Sequence, residues 1–365
     1  MKVGIVLSGN IESQPYIKYY TDVLDSLKGV EYEFICWNRD GVNPLSYNNH
    51  RVVSINVSGS ITNSNFKKMY DYFLFSRKVT RYLKEKEYDF LIIHTLVNGV
   101  FLKNFLLKNY KNRYIFDIRD YSPIFTIAKY FIQKLINSSF FTTISSEGFL
   151  EWLPKSSKYI IGHNVSKNKF DAPFFVNKIL DLRKKELTVL TIGKIRDFSS
   201  NARVILNLGN RSKIKVVFAG SGIESEKLEF FSKDKFNNVF FSGVYKKSNE
   251  GFIVNLCDFI NIVLPINTLS NTLTSNRFYL ALTHKKIMIV NKESFHASYV
   301  KKYNLGIVIE SGDDIFQKIE EYVSVFDFEL FEKGCNELLN LIHKDIIYFE
   351  EKVSSITESN LKFFS

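Results

Sequence analysis

The residues of this chain best suited to chemistry stand where apolar runs stop. TIGKIRD, at 191–197, ends such a run with Gly193 and sets Lys194 and Arg196 in the following turn. Two cations there suit a diphosphate, and an arginine can grip one through two parallel hydrogen bonds; a solvated basic loop is the competing reading. AGSG, directly after the run KIKVVF, offers Gly220 and Gly222, small enough for backbone to approach a phosphate at a helix N-terminus. As a dinucleotide fingerprint it fails, because Ser225 stands at the third glycine position and the motif comes late in the chain. No nicotinamide cofactor is expected. SNRFYLALTHKKIMIV, at 275–290, opens with polar residues before an apolar run. Asn276 is expected to cap a helix there, the amides near Ser275 and Asn276 to favour a diphosphate, and Arg277 to add a cation.

A second group lies in the first half. IFDIRDYSP, at 115–123, ends an apolar run with Asp117, Arg119 and Asp120 and then stops at a proline. Charged residues at the C-terminal end of a parallel strand lie where α/β proteins bind ligands. Alternation sends Asp117 and Arg119 to one face and Ile118 and Asp120 to the other. Asp120 is therefore the candidate base or acceptor-orienting group, with Arg119 beside it, and a purely structural Asp117–Arg119 pairing is the alternative. His94 closes DFLIIH and His163 follows KYII. A lone histidine is more often a satisfied hydrogen-bonder than a catalyst, and neither has a metal-ligand companion at close spacing, so no metal is expected.

These residues need a scaffold that brings strand ends together. Compact apolar runs (KVGIVLS, YEFICWN, RVVSINV, DFLIIHT, RYIFDIRD, FFTTISS, KYIIGHN) alternate with helical patterns such as YIKYYTDVLDSL, a long stretch from about residue 65 to 87, and FLKNFLLKNY. After a Lys- and Asn-rich segment at about 166–185 a second alternating set begins with LTVLTIGK and runs to LGIVIES. Strand alternating with helix means crossover connections and mainly parallel sheets covered on both faces. The expected organisation is α/β, with Rossmann-like domains at 1–168 and 186–340, a linker at 169–185, and a final helix at 341–365 packing back on the first domain. The strand edges of the two domains are expected to border a cleft.

With 365 residues, 45% of them hydrophobic and 24% charged, the chain can bury two ordinary cores and does not read as disordered. The net charge of +11 favours anionic partners, or records free use of lysine. Nucleic acid is not expected, because the aromatics follow core periodicity instead of forming a stacking platform. The helical stretch at 66–86 mixes Lys67, Lys68, Arg77 and Lys78 with Tyr70, Tyr72, Phe73 and Phe75, a composition that suits an anionic membrane surface. Cys36, Cys257 and Cys335 are far apart and lack metal spacing, which fits reduced thiols in the cytoplasm. No apolar run approaches a membrane span or a signal h-region.

In order along nearly the whole chain, QPYIKYYTDVL, FLIIHT, IFDIRDYSP, FTTISSEGFLEWL, KYIIGHNV, TIGKIRD, VVFAGSG, NVFFSGVYKKSNEGF, CDFINIVLP and SNRFYLALTHKKIMIV resemble the segments of GT-B glycosyltransferases, the broad class that includes bacterial capsule, O-antigen and exopolysaccharide enzymes. That resemblance implies transfer of a sugar from a nucleotide-diphosphate sugar to a glycan or lipid-linked acceptor, in the cytoplasm or on the inner face of the membrane, with no metal or other cofactor. It implies a donor site including Gly193, Lys194, Arg196, Gly220, Gly222, Tyr245, Thr274, Ser275, Asn276 and Arg277, an acceptor side including Asn10 and His94, and catalysis by Asp120 and Arg119. The chain departs from the pattern in one place. Many retaining members carry two glutamates separated by seven residues, and these fall on Thr272 and Leu280; Lys285 and Ile287 replace a frequent Gly and Pro. A catalytically degenerate protein that binds nucleotide or glycan, or partners an active transferase, is the alternative, and a sugar-nucleotide epimerase a more distant one.

Overall fold

Runs of Ile, Val, Phe and Leu without charge can be buried on both faces, which is what a parallel sheet covered by helices requires. The computed structural model describes residues 1–39, 41, 43–59, 64–165, 182 and 186–361. The chain divides into two units, Met1–His163 with Lys344–Ser365, and Asn164–His343. Apart from Leu182, the segment expected to be the linker, 169–185, lies outside the described residues.

The first unit holds strands β1 (Lys2–Leu7), β2 (Glu31–Asn38), β3 (Ser46–Tyr47), β4 (His50–Asn56), β5 (Phe90–His94), β6 (Tyr114–Ile118), β7 (Phe141–Ile144) and β8 (Tyr159–Ile161). They lie in the order β3-β4-β2-β1-β5-β6-β7-β8, all parallel except the short β3, which pairs antiparallel with β4. Ile5 of β1 sits between Phe34 of β2 and Ile92 of β5. Val3, Ile5, Phe34, Phe90, Ile92 and Ile115 form the core on one side of this sheet, joined by Tyr20 and, from the end of the chain, by Phe349, Val353 and Ile356. Each large apolar side chain so buried contributes about 1.5–3 kcal/mol.

The second unit holds β9 (Leu187–Ile192), β10 (Ile214–Ala219), β11 (Val239–Gly243), β12 (Phe259–Ile262), β13 (Ile287–Asn291) and β14 (Gly306–Ile309), in the order β11-β10-β9-β12-β13-β14. Every pair is parallel. This is the doubly wound arrangement in which the chain reverses direction between its first and fourth strands, here β9 and β12. A crevice opens beyond the carboxyl ends of two such strands, because their following helices leave on opposite faces. In the first unit the same reversal falls between β1 and β5.

Local signals fix the helices beside the second crevice. Asp197 caps Phe198–Leu208 by accepting the Ser200 amide at 2.7 Å. Ser275 caps Asn276–Thr283, accepting the Phe278 amide at 3.3 Å. That helix closes with the amide of Lys286 on the carbonyl of Ala281 and that of Lys285 on Leu282, a stop that requires a left-handed residue; Lys285 takes it at φ 48°.

Candidate functional site

Three loops follow β9, β10 and β11 in the second unit and are tied to one another. The Gly193 amide donates to the Ala219 carbonyl and the Gly220 amide to Gly243, each at 2.8 Å, while the Ile195 amide donates to Ser221 at 3.1 Å. Gly193 has φ 92° and open space where a side chain would stand. Gly220 and Gly222 serve another purpose than the one expected of them. A Cβ on Gly220 would lie 2.0 Å from the Gly193 carbonyl oxygen, and one on Gly222 2.0 Å from that of Ile195. Their smallness lets two loops touch, and the Gly222 amide is already taken by Ser225 Oγ at 3.0 Å.

Arg277 reaches back from the first turn of its helix to the strand ends. Its Nε donates to the Ile192 carbonyl at 2.7 Å, and its two terminal nitrogens to Lys194 at 3.1 Å and Asn261 at 3.4 Å. The carbonyls of Ile192 and Asn261 belong to the ends of β9 and β12 and that of Lys194 to the loop after β9, so the guanidinium stands at the point where the chain reverses. Burial pushes its pKa down to about 10, opposed by the phenol of Tyr245, and it remains a cation at neutral pH. Among the described residues no carboxylate pairs with it. Lys194 and Arg196 project from the adjoining loop, both exposed. Three cations thus stand at this one edge, a clustering of positive charge that suits a diphosphate.

Tyr245 donates its hydroxyl to Glu250 Oε1 at 3.0 Å, and Lys247 Nζ reaches the same oxygen. Burial and then that carboxylate push the phenol up to about 12. Val244, next to it, is 80% exposed. Thr274 is buried. Asn276 is the first helical residue and exposed, and the cap expected of it is supplied by Ser275 instead. The Ser275 amide is likewise unavailable to a ligand, because it donates to Nε2 of His296 at 3.0 Å. The helix's own pattern leaves the amides of Asn276 and Arg277 without partners. Thr272 and Leu280, at the two positions where carboxylates were sought, are both buried, Thr272 with its hydroxyl on the Thr268 carbonyl at 2.8 Å. Leu280 fills the core beneath the helix.

In the first unit, Arg119 is buried and spoken for. Its Nε meets Asp117 Oδ1 at 2.8 Å and one terminal nitrogen donates to the Gly162 carbonyl at 2.7 Å. Burial opposes its charge, but Asp117 outweighs that and raises its pKa further. His94 Nε2 stands 3.1 Å from Asp117 Oδ2 but without hydrogen-bond geometry, and the ring is covered by Tyr16 and Tyr20, with centroids 4.9 and 6.1 Å away. Burial pushes His94 down to about 4, against the pull of Asp117. Neither the catalytic role expected of Arg119 nor the acceptor contact expected of His94 survives this burial: both belong to a locked polar cluster beneath the strand ends. Asp120, one residue on, is exposed. Asn10 caps a short 3-10 turn by accepting the Glu12 amide at 3.0 Å.

His296, Asn261 and Val244 were missed by sequence reasoning. Asn261, buried, donates to Thr191 Oγ1 at 2.8 Å and accepts the Val263 amide at 3.0 Å, fixing the end of β12 whose carbonyl holds Arg277. An Asn inside the apolar run DFINIVLP was the available signal. For His296 there was none, since its partner is 21 residues away.

No protein-family model matches the chain, and no curated protein matches its sequence. Among solved structures it is similar to a sucrose-phosphate synthase from Thermosynechococcus elongatus, at 10% identity and a TM-score of 0.70, over 100% of this chain and 99% of that one. It is similar also to WaaG, a glycosyltransferase involved in lipopolysaccharide biosynthesis (11% identity, TM-score 0.60, 98% of each chain). Anabaena HepE in complex with UDP matches at 10% identity and a TM-score of 0.64, over 98% of this chain and 100% of that one. The chain has the GT-B fold of these glycosyltransferases.

Proposed function

We propose that the protein is a glycosyltransferase that takes a sugar from a nucleotide-diphosphate sugar. The observation that carries this reading is Arg277, a half-buried cation held by three main-chain carbonyls at the strand reversal, with no carboxylate partner among the described residues. In the reaction an acceptor hydroxyl oxygen bonds to the anomeric carbon as the bond from that carbon to the phosphate oxygen breaks, and the nucleoside diphosphate leaves. Arg277, Lys194, Arg196 and the amides of Asn276 and Arg277 neutralise the charge that develops on it. Asp120 is the group assigned to take the acceptor's proton. With Thr272 and Leu280 buried, the donor is gripped through its phosphates, while Val244 and Tyr245 offer a face for the base.

The acceptor is a glycan or lipid-linked glycan of a bacterial surface polysaccharide, met at the cytoplasmic face of the membrane. The part that WaaG plays in lipopolysaccharide biosynthesis supports this, as does the surface of the first unit. Helix Asn65–Lys86 exposes Phe66, Tyr70 and Phe73 beside Lys67 and Arg77, and helix Ile124–Ser138 exposes Ile127, Tyr130 and Phe131 beside Lys129 and Lys134. No helix among the described residues is long and apolar enough to cross a membrane.

Thermal melts with millimolar UDP, GDP, ADP, CDP and TDP test the donor. At least one should raise the melting temperature, since a ligand at a hundred times its Kd stabilises the native state by about 2.7 kcal/mol. A flat response to all five would overturn the reading. The buried Leu280 and Thr272 favour a second reading, a binding protein without turnover. Release of the nucleoside diphosphate from its nucleotide sugars separates the two: binding without release would establish the second.

A further inference from the structure

His296 lies in the helix Phe295–Lys302 and is fully buried. Its Nε2 accepts the Ser275 amide at 3.0 Å, so the ring proton sits on Nδ1, and Nδ1 has no partner. An unsatisfied buried donor costs free energy, so a position that keeps one needs a reason. The ring also lies against Phe278, with centroids 5.4 Å apart, on the helix that Ser275 begins. The start of that helix is thus held from two sides: Ser275 Oγ turns inward to the Phe278 amide, and the Ser275 amide turns backward to the imidazole. With both groups tied down, the amides of Asn276 and Arg277 and the Arg277 guanidinium keep one orientation relative to the carbonyls of Ile192, Lys194 and Asn261.

We infer that His296 is a positioning residue for phosphate: its imidazole, as an acceptor, fixes the start of the Asn276–Thr283 helix so that the two free amides and Arg277 converge on the diphosphate of the donor. This inference rests on the nucleotide-sugar reading. It assigns His296 no contact with substrate. A displacement of about 1 Å in such a group is enough to weaken what it holds severalfold or more.

The test uses the whole protein and two variants. His296→Leu removes the acceptor and leaves the Ser275 amide unpaired; His296→Gln places an amide oxygen near the position of Nε2. Calorimetry is run with the nucleoside diphosphate that stabilises wild type most, and with its nucleoside. His296→Leu should lose about tenfold in diphosphate affinity while its nucleoside affinity stays within about twofold, and His296→Gln should bind both like wild type. Hydrogen exchange at the Ser275 amide, measured without ligand, should be slow in wild type and His296→Gln and fast in His296→Leu. Equal losses for diphosphate and nucleoside, or no loss in the leucine variant, would overturn the inference and leave His296 a packing residue. If wild type binds no nucleoside diphosphate, the proposed function falls; fast Ser275 exchange in wild type would instead remove His296 as the anchor whatever the ligand.

Discussion

At the scale of single residues, His94 and His296 are both buried and both pushed down to about 4 by that burial, from an ordinary 6.5. The sign follows from proton counting. Above pH 6.5 both rings are neutral folded or unfolded and stability does not depend on them. Between 6.5 and 4 the unfolded chain binds protons that the native state refuses, so stability falls as pH falls, and below 4 the loss is complete. For His296, which has no charged partner contributing to the shift, the loss across this window is about 3 kcal/mol. Thermal melts at pH 7 and pH 4.5 should show a steeper drop for wild type than for His296→Gln, and parallel curves would mean that His296 is protonated in the native state. The same scale shows why sequence misplaced several groups. A polar residue at a strand end reads as facing a ligand, but Tyr16 and Tyr20 arrive from elsewhere to cover His94. A glycine after a strand reads as room for phosphate, but the space at Gly220 and Gly222 is filled by other backbone. Neither outcome has a local signal.

At the scale of elements, the strands were legible because apolar runs bounded by Gly, Asn or Asp admit little else, even with Glu33, Asp117 or Lys215 inside them; β3, two residues long, was not. The start of the Asn276 helix was legible to within one residue, since Ser275 and Asn276 are both good caps and only geometry chooses between them. Its end was legible as a departure, and Lys285 at φ 48° shows what the departure costs: a side chain in a conformation that favours glycine, with its ammonium 2.6 Å from Glu332. Leu280 has the plainest explanation of all, an inward apolar position on an amphipathic helix. The helices at Asn65–Lys86 and Ile124–Ser138 make the element-scale prediction. Phe75, Val79 and Leu83 face inward on the first, which leaves Phe66, Tyr70, Phe73 and the basic residues outward. Vesicles containing anionic lipid should bind wild type and release it as salt rises, each cation near the surface contributing about 1 kcal/mol. A variant with Lys67, Lys68, Arg77 and Lys129 changed to Ser should bind them more weakly; equal binding would show that this surface is only solvated.

At the scale of the whole molecule, the first unit is built from both ends of the sequence. Tyr20 meets Phe349 at 5.1 Å, and His163 Nε2 meets Asp345 Oδ2 at 3.0 Å, so the returning segment is joined to the first unit by packing and by a polar contact. Val353 and Ile356 are fully buried in the cluster that includes Val3 and Ile5. Ile356→Ala should therefore destabilise the first unit by about 2–5 kcal/mol, read as a lower urea midpoint for a probe in the first unit. A loss below about 0.5 kcal/mol would mean that the tail is dispensable to that core.

The returning tail also has a consequence for biogenesis. On the ribosome the strands of the first unit emerge early, yet Phe349, Val353 and Ile356 are made only after the whole second unit. At about 5–20 residues per second they follow His163 by roughly 10–40 s. During that interval the nascent first unit carries an unfilled apolar face that chaperones can recognise, and a chain cut short before Phe349 never completes its oldest part.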